Sequence, residues 1–230
     1  PSHRHKGIGK RLLDTAISKA KDWGKENVYV MGDIDQEDTV PVAFFRSCGF
    51  AQRDGYSVFI DVQKPYPSSI LKNEDILRKE GFVLRKLRAT DRDIALAARL
   101  QKKYFPRFPG YMSVKDVIRH IVKRNFIILV MEKDSQPAGF VIGAAHCTTR
   151  NYRHVIKEGE GLLTSIAVCE DFRRKGIASA LVLGLMREVK EKGDEVLLYG
   201  GCGMGTPSMR LAQKCGGERL RKHYSFDLKL

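Results

Sequence analysis

A short basic turn, Arg173 to Ala178, combines cationic side chains with a glycine and is the first candidate for a binding site. The apolar run Leu162 to Val168 before it predicts a buried strand. Apolar residues at helical spacing after it predict a helix that ends at Gly193. A helix N-terminus presents unpaired backbone N–H groups and the positive end of the helix dipole, which suits a phosphate. Gly176 lets the backbone approach a ligand closely, and the arginine and lysine side chains add positive charge. The turn therefore predicts a seat for a phosphorylated cofactor.

The same pattern occurs near the N-terminus. Arg4, Gly7 and Gly9 share the spacing of Arg173, Gly176 and Ala178, and a helical pattern follows them. The features beyond each turn then recur in one order: helix, strand, helix, Cys-Gly pair and final strand. The matching positions are Gly24 with Gly193, Val28 with Leu197, Cys48-Gly49 with Cys215-Gly216, and Tyr56-Ser57 with Tyr224-Ser225. Two copies in one order indicate an internal repeat.

Only the second copy has a front half. It contains a strand near Phe82, a helix capped by Thr90-Asp91, a second helix from Ser113, and strands at Phe126 to Glu132 and Ala138 to Cys147. The first copy has no such segments ahead of its turn, so the sequence predicts one complete unit and one partial unit.

The spacing Arg-x-x-Gly-x-Gly/Ala, between a strand and a helix, resembles the acetyl-coenzyme A signature of the GNAT superfamily of N-acetyltransferases. The front half has the strand–helix–helix–strand–strand order of that family. The resemblance implies an α/β fold, a mixed sheet flanked by helices. It also implies a partial repeat at residues 1–62, a linker with a short helix at 63–80, and a complete acetyltransferase domain at 81–230. In the family, acetyl-coenzyme A lies where two parallel strands separate. One of these strands is missing from the first copy: either the chain begins late, or the N-terminal part is a structural relic that packs against the complete domain. We expect the cofactor in the second copy alone, although the first turn could still bind an anion.

The resemblance assigns roles to residues of the second copy. The amides of Arg174 to Ser179 would hold the pyrophosphate of coenzyme A. Backbone groups on the strand before the turn would pair with the pantetheine arm, and an exposed amide there would polarise the thioester carbonyl. The residues expected to bind the cofactor are Ile166, Ala167, Val168, Arg173, Arg174, Lys175, Gly176, Ile177, Ala178 and Ser179.

A base is needed to deprotonate the attacking ammonium group. Family bases are often carboxylates on or just before the signature strand. Glu160 is the first candidate because it is nearest to that strand, ahead of Glu158 and His154. A solvated loop glutamate without a catalytic role is an equally good interpretation.

A proton source for the leaving thiolate is harder to identify. Many family members have a tyrosine four residues before the glycine of the Cys-Gly pair, where this chain has Phe45 and Ala212. Tyr224 in the last strand is a substitute candidate; otherwise the thiolate leaves unaided or takes a proton from water. The family's asparagine in the preceding loop is replaced by Gly205. These departures keep open a second class of function, a non-catalytic module that binds coenzyme A or a polyanion.

Composition bounds the remaining choices. A hydrophobic content of 43% with 30% charged residues is that of an ordinary globular protein. We find no apolar run of membrane-spanning length and no signal-peptide pattern. Five scattered cysteines lack metal-site spacing, so we expect a reduced, cytoplasmic protein without a metal.

The net charge of +14 favours a basic surface with an anionic cofactor, and nucleic acid is a less favoured partner. A homodimer is compatible with the sequence.

The glycine-rich segment Gly200 to Gly205 follows a strand, as in dinucleotide-binding sites. Such folds need more strand–helix units after this segment, so a dinucleotide site is disfavoured. The acceptor amine cannot be identified from the residues. The loop from Tyr104 to Tyr111 and the loop from Thr148 to Lys157 are expected to line its entrance.

Overall fold

The computed structural model describes residues 6–105, 126–145 and 157–230. The helices of these parts are α1 (Ile8–Asp22), α2 (Thr39–Ser47), α3 (Ser68–Lys79), α4 (Asp91–Tyr104), α5 (Ile177–Glu191) and α6 (Pro207–Lys214). The strands are β1 (Asn27–Asp35), β2 (Ala51–Asp61), β3 (Phe82–Lys86), β4 (Ile127–Lys133), β5 (Gln136–Ala144), β6 (Glu160–Val168), β7 (Val196–Cys202) and β8 (Gly217–Lys229). The helix predicted from Ser113 and most of both predicted entrance loops lie outside the described residues.

The chain divides into two compact units. The smaller one contains residues 1–56 and 221–230, and the larger one contains residues 57–220. Strands β2 and β8 each contribute residues to both units. Because the units are not continuous in sequence, the repeat boundaries predicted at residues 62 and 80 remain a prediction.

The larger unit contains a sheet in the order β7-β6-β5-β4-β3. Neighbouring strands from β3 to β6 are antiparallel, whereas β6 and β7 are parallel. This confirms the predicted mixed sheet. The parallel pair requires a crossover connection, and α5 supplies it.

Helices cover both faces of this sheet. Alternate residues of β4 and β5, such as Ile128 and Phe140, pack with Ile94 and Leu100 of α4 in one buried cluster. The intervening residues face α5, since a side chain placed on Gly143 would collide with Leu185. Strand alternation places the two sets on opposite faces, so β4 and β5 are buried between helices.

The smaller unit has the strand order β1-β8-β2, with β1 and β8 antiparallel. Its core contains Val42, Phe50 and Phe226, with Leu13 and Ile17 of α1 packed against it. Helix α1 has no buried residue, whereas ten of the fifteen residues of α5 are buried. The two equivalent helices therefore differ strongly in how far they enter a core.

Backbone geometry supports the repeat inferred from sequence. All three glycine pairs of the alignment have positive φ in both copies, a conformation that side chains with a Cβ rarely adopt. The φ values are 69° and 82° for Gly7 and Gly176, 63° and 89° for Gly24 and Gly193, and 81° and 91° for Gly49 and Gly216. Strand β1 extends to Asp35, and β2 begins at Ala51, so that it contains the matched pair Tyr56-Ser57.

Candidate functional site

Strands β6 and β7 pair over only part of their length. Their parallel pairing runs from Glu160 opposite Val196 to Leu163 opposite Tyr199. On its other side, β6 stays paired with β5 as far as Val168 opposite Gly139. Both strands lie wholly within the described residues, and no further pair joins them after Leu163. The second half of β6 therefore has one backbone edge that β7 does not cover.

A β-bulge marks the point where the strands separate. Ser165 lies opposite Ile142 and Leu163 lies opposite Gly143, so Thr164 is the extra residue on β6. The Thr164 hydroxyl donates a hydrogen bond to the Ile142 carbonyl at 3.1 Å. Burial changes at the same place: residues 160–163 are buried, Thr164 is exposed, and residues 165–168 are half-buried. The uncovered edge is thus accessible to a ligand.

The direction of the backbone groups follows from one hydrogen bond. The Cys169 N–H donates to the Ala138 carbonyl of the neighbouring chain segment at 2.9 Å. In an antiparallel pair, the backbone groups of successive residues point alternately toward and away from the partner strand. Ala167 therefore directs its backbone groups toward β5, and Ile166 and Val168 direct theirs toward the uncovered edge. Of the three strand residues predicted to bind pantetheine, Ile166 and Val168 therefore offer backbone groups at the uncovered edge, whereas the backbone groups of Ala167 point toward β5.

The basic turn follows directly from this edge. A 3₁₀ turn at Glu170–Phe172 leads into Arg173, Arg174 and Lys175, whose side chains are exposed. Arg174 has a φ of 64°, and Gly176, with a φ of 82°, is the N-cap of α5. No side chain caps this helix end. The first backbone N–H groups of α5 are therefore available to an anion.

Within the turn, side chains and backbone have different environments. Ile177 and Ser179 are buried, so their side chains are not exposed to a ligand in solvent. Arg173 lies 3.4 Å from Glu170, and the Lys175 ammonium lies 5.8 Å from the centre of the Phe172 ring. These contacts are exposed and weak, so the cationic side chains can turn toward an anion.

Sequence reasoning missed a contact at the same turn. Asn73 of α3 donates a hydrogen bond from Nδ2 to the Gly176 carbonyl at 3.1 Å. A Cβ at Gly176 would come within 2.1 Å of Asn73. Asn73 precedes Gly176 by 103 residues, and nothing in the pattern around it distinguishes it from a surface asparagine.

Glu160, the candidate base, lies at the opposite end of β6 from the turn. It is buried, and its Oε2 accepts a hydrogen bond from the Lys157 N–H at 2.9 Å. The carboxylate therefore closes the entry loop of the strand rather than standing in solvent. Its catalytic role remains a prediction.

The positions considered for the proton donor have other surroundings. Ala212 is fully buried in α6, and Phe45 packs against Phe226 with ring centres 5.3 Å apart. Tyr224 is half-buried in the smaller unit, where the Lys222 ammonium lies 5.3 Å from its ring centre. Glu160 belongs to the larger unit, so the two predicted catalytic residues are in different units.

Tyr199 is a residue of the site that the sequence did not single out. It forms the last pair between β7 and β6 and is buried. Burial raises the pKa of its hydroxyl well above the usual range. A hydrogen bond with Ser208, in the first turn of α6, lowers the pKa by a smaller amount. The hydroxyl therefore stays protonated at neutral pH, close to where the strands separate.

The described parts of the chain contain neither a membrane-spanning helix nor a metal-binding cluster. None of the helices there is long and apolar enough to cross a membrane. Within the same residues, no group of three or more histidine, cysteine or acidic side chains could hold a metal ion.

Comparison with known proteins places this site in a family. The model of the acetyltransferase (GNAT) family matches residues 1–50 and 94–217, which together make up more than half of the chain. An N-alpha-acetyltransferase of Sulfurisphaera tokodaii is 27% identical over 154 residues, covering 64% of this chain and 87% of that protein.

Solved structures show the same fold. A GCN5-related N-acetyltransferase from Sphaerobacter thermophilus has a TM-score of 0.64 and 17% identity, covering 100% of this chain and 70% of that one. The tandem GNAT protein from the clavulanic acid biosynthesis pathway also has a TM-score of 0.64, at 15% identity, with coverages of 100% and 72%.

A further match is a glucosamine N-acetyltransferase region of a fungal multi-domain β-N-acetylglucosaminidase. Its TM-score is 0.72 at 16% identity over 99% of this chain, which spans only 28% of that protein's length. With a mixed sheet, separating parallel strands and a matching family model, the chain belongs to the acetyltransferase (GNAT) family.

Proposed function

We propose that the protein is an acetyl-coenzyme A-dependent N-acetyltransferase that transfers the acetyl group directly to a primary amine. The observation that carries the proposal is the uncovered edge of β6, which leads through a short basic turn into an uncapped helix N-terminus. A strand edge suits the amide-containing pantetheine arm, and a helix N-terminus suits the pyrophosphate.

The residues present fit coenzyme A. Ile166 and Val168 direct backbone donors and acceptors toward the uncovered edge, where they would hydrogen-bond the amides of pantetheine. The amides of residues 174–179, with Arg173, Arg174 and Lys175, would hold the phosphates. The half-buried surface at residues 165–168 leaves room for the arm. No described cluster suggests a metal, and the proposed transfer needs none.

The proposed reaction requires three proton movements. The ammonium must lose a proton so that the nitrogen lone pair can attack the thioester carbonyl and form the C–N bond. The nitrogen then loses a second proton, the C–S bond breaks and the thiolate is protonated. A backbone amide on the uncovered edge of β6 would polarise the carbonyl as charge develops on its oxygen.

Glu160 is the proposed base. It is four residues from Thr164, a separation of about 13 Å along a strand, so it would act through intervening water. Tyr224 is the proposed acid from sequence. Tyr199 is added as a candidate because it is buried and lies at the point of strand separation.

For the acceptor, we propose the α-amino group of a peptide as the first class to test. The support is the 27% identity to an N-alpha-acetyltransferase. Small-molecule amines form the second class.

The test is to mix the protein with acetyl-coenzyme A and a panel of N-terminal peptides and small amines. Thiol release and the mass of the acetylated product are then followed. We expect thiol release that depends on the acceptor, with a mass gain of one acetyl group. If coenzyme A binds and no acceptor is acetylated, the non-catalytic alternative replaces this proposal. If coenzyme A does not bind, the proposed function fails, and only the polyanion-binding form of the alternative is left.

The proton-transfer residues have a separate test. Glu160→Gln should lower kcat most at low pH, where less of the amine is already deprotonated. Tyr199→Phe and Tyr224→Phe are compared in parallel. We expect replacement of the tyrosine that donates the proton to lower kcat by about 10²-fold or more. If all three variants keep full kcat, water is the proton carrier.

A further inference from the structure

Helix α3 lies in the part of the chain that the family model does not match, between residues 50 and 94. It nevertheless contacts the turn that begins α5. Asn73 donates to the Gly176 carbonyl at 3.1 Å, and its side-chain amide lies against the Gly176 Cα, where a Cβ would collide with it. Position 176 therefore needs glycine for two reasons: the positive φ of the turn and the space that the Asn73 side chain occupies.

The position of Asn73 is fixed by other contacts of the same segment. Glu74 accepts two hydrogen bonds from Arg187 of α5, at 2.5 and 2.8 Å. Ile70 and Leu77 of α3 are buried. The Arg187 guanidinium also lies 5.8 Å from the centre of the Tyr66 ring. Helix α3 is therefore held against α5 independently of Asn73.

The contact acts on one particular peptide group. The Gly176 carbonyl belongs to the peptide whose N–H is that of Ile177, the first residue of α5. In a planar trans peptide the C=O and N–H point in opposite directions. The Gly176 carbonyl also accepts the helix hydrogen bond from the Ala180 N–H at 3.2 Å, so the bond from Asn73 is the second one on this oxygen. The second bond adds to the restraint on the direction of the Ile177 N–H, and the extra donation to the carbonyl makes that N–H a stronger donor.

We propose that Asn73 is a positioning residue for the cofactor: it orients and polarises the Gly176–Ile177 peptide so that the Ile177 N–H binds the pyrophosphate of coenzyme A. The inference rests on the proposed function, because it assigns a supporting residue to the same cofactor site. It concerns binding of the cofactor, and not the chemical step.

The test measures binding of coenzyme A by calorimetry to the full chain. Asn73→Ala should weaken binding about tenfold, the effect of losing one hydrogen bond to the site. In Asn73→Asp the side chain has nearly the same shape but offers only acceptor oxygens to the Gly176 carbonyl. This variant should therefore lose more affinity for coenzyme A than Asn73→Ala does. In acetyl transfer, KM for acetyl-coenzyme A should rise while kcat at saturation is unchanged.

Glu74→Gln is the matched control, since it weakens the contact between α3 and α5 but keeps Asn73. It should lower thermal stability slightly and leave affinity for coenzyme A unchanged. If Glu74→Gln weakens binding as much as Asn73→Ala does, Asn73 acts only through helix docking and the inference is overturned. Equal binding by wild type and Asn73→Ala overturns the inference alone. A wild-type protein that does not bind coenzyme A removes the proposed function and the inference together.

Discussion

At the scale of single residues, the larger unit contains an ion pair whose effect on stability can be derived. Asp93 of α4 accepts hydrogen bonds from Arg85 Nη1 and from the Arg88 N–H, both at 2.8 Å. Its side chain is only 6% exposed, whereas that of Arg85 is 32% exposed. Arg85 also binds Glu132 through two hydrogen bonds, at 3.0 and 3.2 Å. Arg85 therefore links β3 to both α4 and β4, and Asp93 is the α4 end of this link.

This arrangement predicts a pH-dependent loss of stability. Burial raises the pKa of Asp93, but the hydrogen bonds from the Arg88 N–H and from Arg85 lower it more, and the net shift is downward. A carboxyl whose pKa is lower in the folded state stabilises the protein above its unfolded pKa, near 4, and loses that effect as pH falls. Asp93→Asn should cost about 1–3 kcal/mol of unfolding free energy at pH 7, because the buried Asp93 side chain loses the negative charge that Arg85 and the Arg88 N–H bind.

Urea unfolding of wild type and variant between pH 3 and pH 7 measures this prediction. The difference between the two proteins should narrow below about pH 4. Asp91→Asn is the control, since Asp91 is an exposed residue of the same helix turn. Parallel stability curves over the whole range would mean that the charge of Asp93 is not responsible.

The buried cysteines give a second prediction at this scale. Burial raises the pKa of Cys202 to about 11 and that of Cys215 to about 12. Since the thiolate is the reactive form, both should resist alkylation by iodoacetamide at pH 7.5. The half-buried Cys48 and Cys169 are the reference sites.

Peptide mass spectrometry after timed labelling measures the difference. Cys202 and Cys215 should be modified only after denaturation, and the reference cysteines should be modified first. Rapid labelling of Cys202 or Cys215 in the native protein would show that the core around β7 and α6 opens readily.

At the scale of elements, glycines of β5 allow α5 to approach the sheet closely. A Cβ at Gly143 would lie 2.6 Å from Leu185 of α5 and 2.7 Å from the Leu162 carbonyl. One of these neighbours is backbone, so it cannot move aside cheaply. Gly143 also lies beside the bulge at Thr164, where the strands separate. Helix approach and strand separation therefore depend on the same region of β5.

Gly143→Ala should consequently lower the free energy of unfolding by about 1–3 kcal/mol through overpacking. Gly9→Ala in α1 is the matched control. There the new Cβ would make only ordinary contact with Phe44, at 3.5 Å, and alanine favours a helix by up to about 1 kcal/mol. Chemical denaturation of both variants should show opposite signs. Equal stability of Gly143→Ala and wild type would indicate that α5 can move away from β5.

Elements were more predictable than the contacts between them. The 3.6-residue spacing from Ile177 onward predicts α5, and Thr90 as an N-cap is confirmed by its hydrogen bond from the Asp93 N–H. Both signals are local. The bulge at Thr164 depends on the register with β5, and the Asn73 contact depends on a helix that packs from far along the chain. Sequence periodicity carries no information about such long-range pairing.

At the scale of the whole molecule, one chain contains two signature turns with different surroundings. Gly7 and Gly176 have almost the same backbone conformation and each begins a helix. Helix α5 is embedded in a core and follows the uncovered edge of β6, whereas α1 has no buried residue. The repeated pattern therefore indicates that the two turns share a backbone geometry. It does not by itself indicate a second cofactor site.

This difference predicts one coenzyme A bound per chain. Gly176→Ala should abolish measurable binding, because its φ of 82° strains alanine and the new Cβ would collide with Asn73. Gly7→Ala is the matched control: it has comparable strain at a φ of 69°, no atom lies within 4 Å of the new Cβ, and binding should be unchanged. Calorimetric titration of wild type and both variants gives the stoichiometry and affinity. Two molecules bound per chain, or weaker binding by Gly7→Ala, would mean that the N-terminal turn also holds the cofactor and that a signature turn can do so without a deeply buried helix.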